Sequence, residues 1–466
     1  MDWKKVEERI NFMDRLAGDK VVWIIVLFLS LISLVAIFSS TSQLATEANT
    51  RIDIVRTHFL TILGGLFVIT LLYKINNIRV FKWLSKWGFA LSLAMLLLLD
   101  LHLNLGPVRA SSINGAWRIL KIGGFQIHVF EIIKVAMVMY LAWAVDTYRN
   151  GAFKLLDKLS EIDRLHFLGT DFAKRVIYIY APILIICVAS LPGGNSNALF
   201  IAALMFLTIL LAGMPFKDIL LIGALAVLLF LGCFGIWKVS GGKAFDRIGT
   251  AVSRLSSHSA DNETLFLEAR KGTEAYQKAL DKIRQPIGAK LAIKRGGVFG
   301  KGPGNSIQKY VVPVIYEDYI FSFILEEYGI FGGILVIMLY ISLLARASII
   351  ARNCDDKFAK YAIAGLSVMI SSQAMMHILV NCDVGLLTGQ TLPLISYGTS
   401  AFLCISIAFG IILSISRMAT KRIEREAAKA DPLVSFKEDD VKDRLDLLSE
   451  YETEESLTDL QETEIE

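Results

Sequence analysis

The stretch "GGVFGKGPGNSIQKYVVPVIYEDYIFSFILEEYGIFG" occupies residues 296 to 332. It passes from a glycine-rich loop, through Glu317 and Asp318 set among aromatic and aliphatic residues, into an apolar run that carries Glu326 and Glu327. Followed onward, that run extends over residues 319 to 345. A helix rising about 1.5 Å per residue needs roughly 20 apolar residues to cross a bilayer core, so this run is a membrane span. Nine more runs match it, centred on 22–41, 57–75, 84–103, 127–146, 175–192, 197–214, 217–237, 359–381 and 391–416. With 54% hydrophobic residues and a mean hydropathy of +0.54, the 466-residue chain is too apolar for an ordinary soluble enzyme. The expected fold class is an all-α polytopic membrane protein of about ten transmembrane helices.

Basic residues in short loops resist translocation, and their distribution sets the orientation. Lys4, Lys5, Arg9, Arg15 and Lys20 precede the first span, and Arg79, Lys82 and Lys86 lie between spans two and three. Arg149, Lys154, Lys158, Arg164, Lys174 and Arg175 lie between spans four and five, and Arg417, Lys421, Arg422 and Arg425 follow the last. Both termini are therefore expected in the cytoplasm, with a large extracytoplasmic loop, 238–318, between helices 7 and 8. Arg109, Arg118 and Lys121 fall outside, against the rule. The net charge of +4 reflects topology, and nothing in it implies a nucleic-acid partner.

Three domains are expected: a cytoplasmic amphipathic segment 1–20, a transmembrane domain 21–418, and a cytoplasmic tail 419–466. In "WKKVEERINFMDRL", residues 3 to 16, Trp3, Val6, Ile10 and Met13 share a helical face suited to the inner membrane surface. The tail is rich in acids and nearly empty of aromatics, a composition that predicts disorder. The five cysteines show no disulfide or zinc spacing, and HExxH, Walker A and GxSxG motifs are absent.

Ionisable residues inside spans are costly unless paired or facing a wet cavity. Glu131 and Lys134, three apart in span four, share one face and can neutralise each other as a cavity wall or as an internal ion pair. His377 and Asp100 read as satisfied polar packing. On the residues alone, Glu317 and Asp318 are equal candidates for a general base at the outer end of span eight.

Three blocks carry a family resemblance. "NGAWRILKIGG…EIIK", residues 114 to 134, resembles NGAxRWIxxG…QPSExxK of the SEDS proteins, the shape, elongation, division and sporulation family of FtsW, RodA and SpoVE. The opening stretch is similar to that family's GGLxGxGxGNSxQKxxxLPExHxDFIFxxxxEExG, and "TGQTLPLISYGTSAF", residues 388 to 402, to TGxxLPxISYGGSS. "GNSIQK" has the form of the division branch, where the elongation branch more often reads GTQSQ. The chain also departs from the pattern. QPS becomes His128, Val129 and Phe130; the Trp after Arg118 becomes Ile119; the PDLGT element becomes "PGGNSN"; and the Glu and His of LPExHxD become Val314 and Tyr316.

The resemblance implies a peptidoglycan glycosyltransferase that polymerises lipid II on the outer face of the cytoplasmic membrane, in septal synthesis during cell division. Asp318 stands where the family's essential outer-face Asp does, as the base that takes the acceptor 4-hydroxyl proton, with Glu317 its alternative. Arg118 and Lys309 would hold diphosphate oxygens. Asn305, Ser306, Gln308, Ser396 and Tyr397 are further substrate-binding candidates, and Glu131, Lys134, Glu326 and Glu327 are cavity charges. No metal ligands are assigned, although the diphosphate leaving group admits a divalent cation, Mg or Mn. Implied partners are a class B penicillin-binding protein of the FtsI transpeptidase type and divisome regulators. Alternatives are a lipid-linked precursor flippase or transporter, the same polymerase in cell elongation, a scaffold for the transpeptidase, and an O-antigen ligase-type transferase.

Overall fold

The computed structural model describes residues 17–41, 51–102, 104–113, 116–153, 157–158, 160–239, 274–384 and 389–429. The amphipathic segment 3–16, Asn114, residues 240–273 of the large loop, Thr388 and residues 430–466 of the acidic tail lie outside them.

The helices are α1 (Lys20–Ser40), α2 (Arg51–Lys74), α3 (Ile78–Ser85), α4 (Gly88–Asp100), α5 (Val129–Arg149), α6 (Asp171–Ala189), α7 (Asn195–Leu211), α8 (Phe216–Val239), α9 (Glu274–Gly296), α10 (Ile320–Asn353), α11 (Lys357–Asn381) and α12 (Thr399–Lys429). Each expected apolar run falls on one of them, or on the α3–α4 pair. By length and apolarity alone, six qualify to cross a membrane among the described residues, seven if α3 and α4, bent by 40°, form one span. Helix α5 carries four charged residues, and α7 has only 17 residues.

Two polar contacts fix how α1 meets α10. Asp19 caps α1, its Oδ1 accepting from Val21 N at 2.9 Å, and its Oδ2 pairs with Arg346 at 2.6 Å. At the other end of α1 the Ser39 hydroxyl donates to Glu327 at 2.5 Å. Twenty residues of helix separate Asp19 from Ser39, about 30 Å, the thickness of a bilayer core. The antiparallel contact is thus apolar between polar ends, as a bilayer requires.

Helix α10 is broken at Gly329, whose φ of 67° and ψ of −167° are non-helical. The part from 330 to 353 is about 36 Å long and can cross the membrane alone, whereas residues 320 to 327 are wholly buried in protein. Glu326 and Glu327 therefore lie level with the Ser39 end of α1, at the far end of the helix pair from Asp19 and Arg346.

Because lipid is as apolar as leucine, packing between spans depends on close approach at small residues. A Cβ on Gly88 would lie 2.4 Å from Ala136 O, one on Gly65 2.6 Å from Phe402, and one on Gly365 2.6 Å from Val138. Helix α5 sits centrally, with Met137, Leu141 and Val145 buried among Leu96, Ile183 and Met205.

Between α4 and α5 the chain forms an antiparallel sheet, β1 (Asn104–Leu105), β2 (Val108–Ile113), β3 (Ala116–Ile122) and β4 (Phe125–His128), in sequential order. Hydropathy alone places a loop here, and alternation is obscured because Ile119 and Leu120 are both buried, with a register shift at Ser111/Ser112 that leaves Arg118 without a cross-strand partner residue. The mostly helical membrane architecture stands, with this sheet added. Separately from the bundle Asp19–Ser416, Met1–Gly18 and Arg417–Glu466 form a second unit; within it Arg422 pairs with Glu426 at 3.3 Å.

Candidate active site

The two acids of the opening stretch sit on one tight turn. The amides of Glu317 and Asp318 both donate to Val314 O, at 3.1 and 3.2 Å. Val314 itself has φ 57°, a conformation rare for a β-branched residue and costing about 1–3 kcal/mol, as is common at functional sites. The turn's carbonyls are held from two sides. Tyr316 O accepts from Tyr397 N at 3.0 Å, Glu317 O from the Ser396 hydroxyl at 2.8 Å, and Asp318 O from Asn381 Nδ2 at 3.1 Å. Asn381 Oδ1 also accepts from Ser322 N at 2.9 Å, satisfying a donor in the first turn of α10. With every backbone contact inward, the two half-buried carboxyl groups are fixed at their roots.

Burial raises both carboxyls above the ordinary range, Glu317 to about 7 with the Asp318 charge adding to the effect. The Arg118 guanidinium, presented by β3, opposes the shift at both. Arg118 and the acid turn, nearly 200 residues apart in sequence, therefore lie within electrostatic reach of one another.

Below the sheet, Lys134 is 2% exposed and spends its three donors on Glu131 Oε1 at 2.7 Å, Gln373 Oε1 at 2.6 Å and Gln390 Oε1 at 3.1 Å. Gln390 Nε2 donates in turn to Asn197 at 2.5 Å, and His377 Nδ1 lies 2.7 Å from Gln390 O. The Glu131–Lys134 pair is thus part of a buried network joining α5, α7, α11 and the segment before α12. His377 joins this network through Nδ1, while its Nε2 is buried without a hydrogen-bond partner.

The "GKGPGNSIQK" loop folds around the two glutamates of α10. Glu326 accepts from the Ser306 hydroxyl at 2.5 Å and from the amides of Ile307 and Gln308 at 3.2 Å, with Lys301 3.6 Å away. Glu327 Oε1 accepts from Gly304 N at 3.0 Å. Lys309, 3% exposed, donates to Gly304 O at 2.6 Å. Ser306, Gln308 and Lys309, expected to touch substrate, are buried within the loop, where the Ser306 hydroxyl and the Gln308 backbone amide donate to Glu326 and the Lys309 ammonium closes on Gly304 O. Asn305 is exposed and donates to Lys301 O at 3.0 Å.

The "LPLISYG" segment is buried, non-helical chain, and α12 starts only at Thr399, later than the apolar run suggests. Irregular backbone at membrane depth survives only where protein satisfies its polar groups. Here Gln373 Nε2 donates to Thr391 O at 3.1 Å, the Tyr340 hydroxyl to Pro393 O at 2.6 Å and the Ser33 hydroxyl to Ile395 O at 2.8 Å. Ser396 and Tyr397, expected substrate contacts, support the acid turn from this segment.

Residues 19–421 match the model of the cell cycle protein family FtsW/RodA/SpoVE. The chain belongs to this family. It is 27% identical over 361 residues to the probable peptidoglycan glycosyltransferase FtsW of Coxiella burnetii, covering 75% of this chain and 83% of that protein. To the FtsW of Bacillus subtilis it is 30% identical over 315 residues, 67% of this chain and 70% of that one. To stage V sporulation protein E of the same organism it is 28% identical, covering 86% and 97%. The fold is similar to a structure of a peptidoglycan synthase complex that coordinates polymerization and crosslinking, at TM-score 0.56, 20% identity, and 86% and 98% coverage. It is also similar to the rod shape determining protein RodA of Thermus thermophilus, at TM-score 0.51, 20% identity, and 86% and 97% coverage. The expected family and its polytopic membrane fold are thereby established.

Sequence reasoning missed several residues of this SEDS site. Gln373 and Asn381 flank His377, already read as polar packing, and the three recur every four residues along one face of the apolar helix α11. His128, Gln390 and Asn197 carry no such signal, because their partners come from distant elements. Among the described residues no group of three or more His, Cys, Asp or Glu could hold a metal ion.

Proposed function

We propose that this SEDS chain is a peptidoglycan glycosyltransferase that polymerises lipid II on the outer face of the cytoplasmic membrane, at the division septum. The observation that carries the proposal is the acid turn, where Glu317 and Asp318 hang on one carbonyl within electrostatic reach of Arg118. Asp318 is the base: its carboxylate takes the proton of the acceptor sugar's 4-hydroxyl as that oxygen attacks the donor's anomeric carbon and undecaprenyl diphosphate leaves. Arg118, a planar donor fork, stabilises negative charge on the departing diphosphate. Glu131 and Lys134 maintain the polar wall beneath. A ten-span topology with cytoplasmic termini puts this chemistry outside, where strands are laid down. The names of the relatives and the form of "GNSIQK" favour division over elongation. The matched synthase complex supports a crosslinking partner, here a class B penicillin-binding protein with divisome regulators around it.

The test is polymerisation of purified lipid II by the chain reconstituted in liposomes with its transpeptidase partner. Glycan strands resolved on a gel support the proposal. Translocation of labelled precursor without strand formation would replace it with the flippase reading.

A further inference from the structure

We propose that Ser33 and His58, on α1 and α2, are positioning residues for the catalytic carboxylates, acting through residues 395 to 397. The proposal rests on Asp318 being the base. The Ser33 oxygen lies 2.8 Å from His58 Nε2 and donates its single proton to Ile395 O at 2.8 Å. With that proton spent, the Ser33–His58 contact must use a proton on Nε2, so His58 is a donor and the chain of bonds has one direction. His58 is 2% exposed, and its ring packs against Tyr397 at 5.6 Å and Phe402 at 6.1 Å between centroids. The residues after Ile395 carry two bonds to the acid turn, Ser396 Oγ to Glu317 O and Tyr397 N to Tyr316 O. One polar path therefore runs from α2 through Ser33 and the buried segment to the backbone that aims Glu317 and Asp318.

The path is separable from the fold. The front of the same segment is anchored by Tyr340 at Pro393, Gln373 at Thr391 and His377 at Gln390. Loss of the Ser33 or His58 contact leaves those anchors in place and releases only the end that touches the acid turn. Neither side chain is among the groups that meet the reacting atoms. Their removal should misplace the base rather than weaken substrate binding, and a misplacement near 1 Å can cost on the order of 100-fold in rate.

The experiment measures kcat, KM and thermal stability of lipid II polymerisation by the full chain with its partner in liposomes. The variants are Ser33→Ala, His58→Ala, the double variant, His58→Gln and Ser33→Thr. Expected are falls in kcat of roughly 10- to 100-fold for each alanine variant with KM within about twofold, and a double variant no worse than either single. Recovery to within a few-fold is expected for His58→Gln, which keeps a donor near Nε2, and for Ser33→Thr, which keeps the hydroxyl. Unchanged kcat in the alanine variants, failure of both conservative variants to recover, or a kcat loss matched by loss of folded protein would each overturn the proposal. Strand synthesis by wild type that is abolished in Asp318→Asn but intact in Ser33→Ala would reject this role alone. A wild type making no strands would reject the enzymatic reading beneath it.

Discussion

The Ser39 hydroxyl on α1 and the Glu327 carboxylate on α10 meet at 2.5 Å, and the same carboxylate oxygen accepts the amide of Gly304. A side chain at the C-terminal end of the first span is thereby tied to the glycine-rich loop some 270 residues later. With Asp19 and Arg346 at the opposite end, this contact defines the two boundaries of the α1–α10 pair.

Asp19→Ala removes both the α1 cap and the Arg346 pair. A cap is worth about 1 kcal/mol, and loss of the partner of a half-buried arginine adds to that. Thermal unfolding in detergent should show a loss of about 1–3 kcal/mol, and a smaller one for Asp19→Asn, which retains the capping oxygen.

Gly329→Ala should be among the most damaging single changes. A Cβ there would lie 2.2 Å from Val298 O, and φ is 67°. Lys301 N donates to Glu326 O at 2.9 Å and Ile330 N to Gly297 O at 3.1 Å beside it, so no neighbour can yield without breaking a backbone bond. Yield of folded protein and protease resistance of the 297–310 loop should both collapse.

Lys134→Met strands Glu131, Gln373 and Gln390 as buried acceptors. Breaking a buried pair costs about 3–5 kcal/mol, while replacing both charges with apolar groups is far milder. The double variant Glu131→Leu, Lys134→Met should recover much of the stability lost by Lys134→Met, read as a positive coupling in a double-mutant cycle.

The pH dependence follows from the raised carboxyls. The base must be ionised, so the rate should fall as pH drops through a midpoint above the ordinary carboxylate range. Arg118→Ala removes a charge that favours ionisation and should move this acid limb to higher pH. The stability contribution has the opposite sense. Glu317 is raised to about 7, so its contribution is complete below its unfolded value near 4.5 and is lost as pH rises through about 7. A pH–rate profile and a pH–melting profile, run together, test both directions.

Long apolar runs made the spans legible, since bilayer thickness imposes a length that sequence must display. The Glu131–Lys134 pair was legible because charges within a span are costly enough to stand out, whereas Asp318 was separable from Glu317 only through the family resemblance. The strand pattern around Arg118 was not, because Ile119 and Leu120 are both buried and break the alternation expected of a half-exposed strand. Nor was the burial of Ser306, Gln308 and Lys309, since Ser306 and the Gln308 backbone amide answer to Glu326 and Lys309 to the carbonyl of Gly304, pairings that only the folded loop creates. The break at Gly329 could be suspected from "EEYG", but its partner, the glycine loop, is a tertiary fact.

The most direct measurement compares lipid II polymerisation by wild type, Asp318→Asn and Glu317→Gln, each confirmed folded and bound to the transpeptidase partner. Strands from wild type, none from Asp318→Asn and reduced but measurable synthesis from Glu317→Gln are expected. Equal polymer from wild type and Asp318→Asn would contradict the assignment of Asp318 as the base.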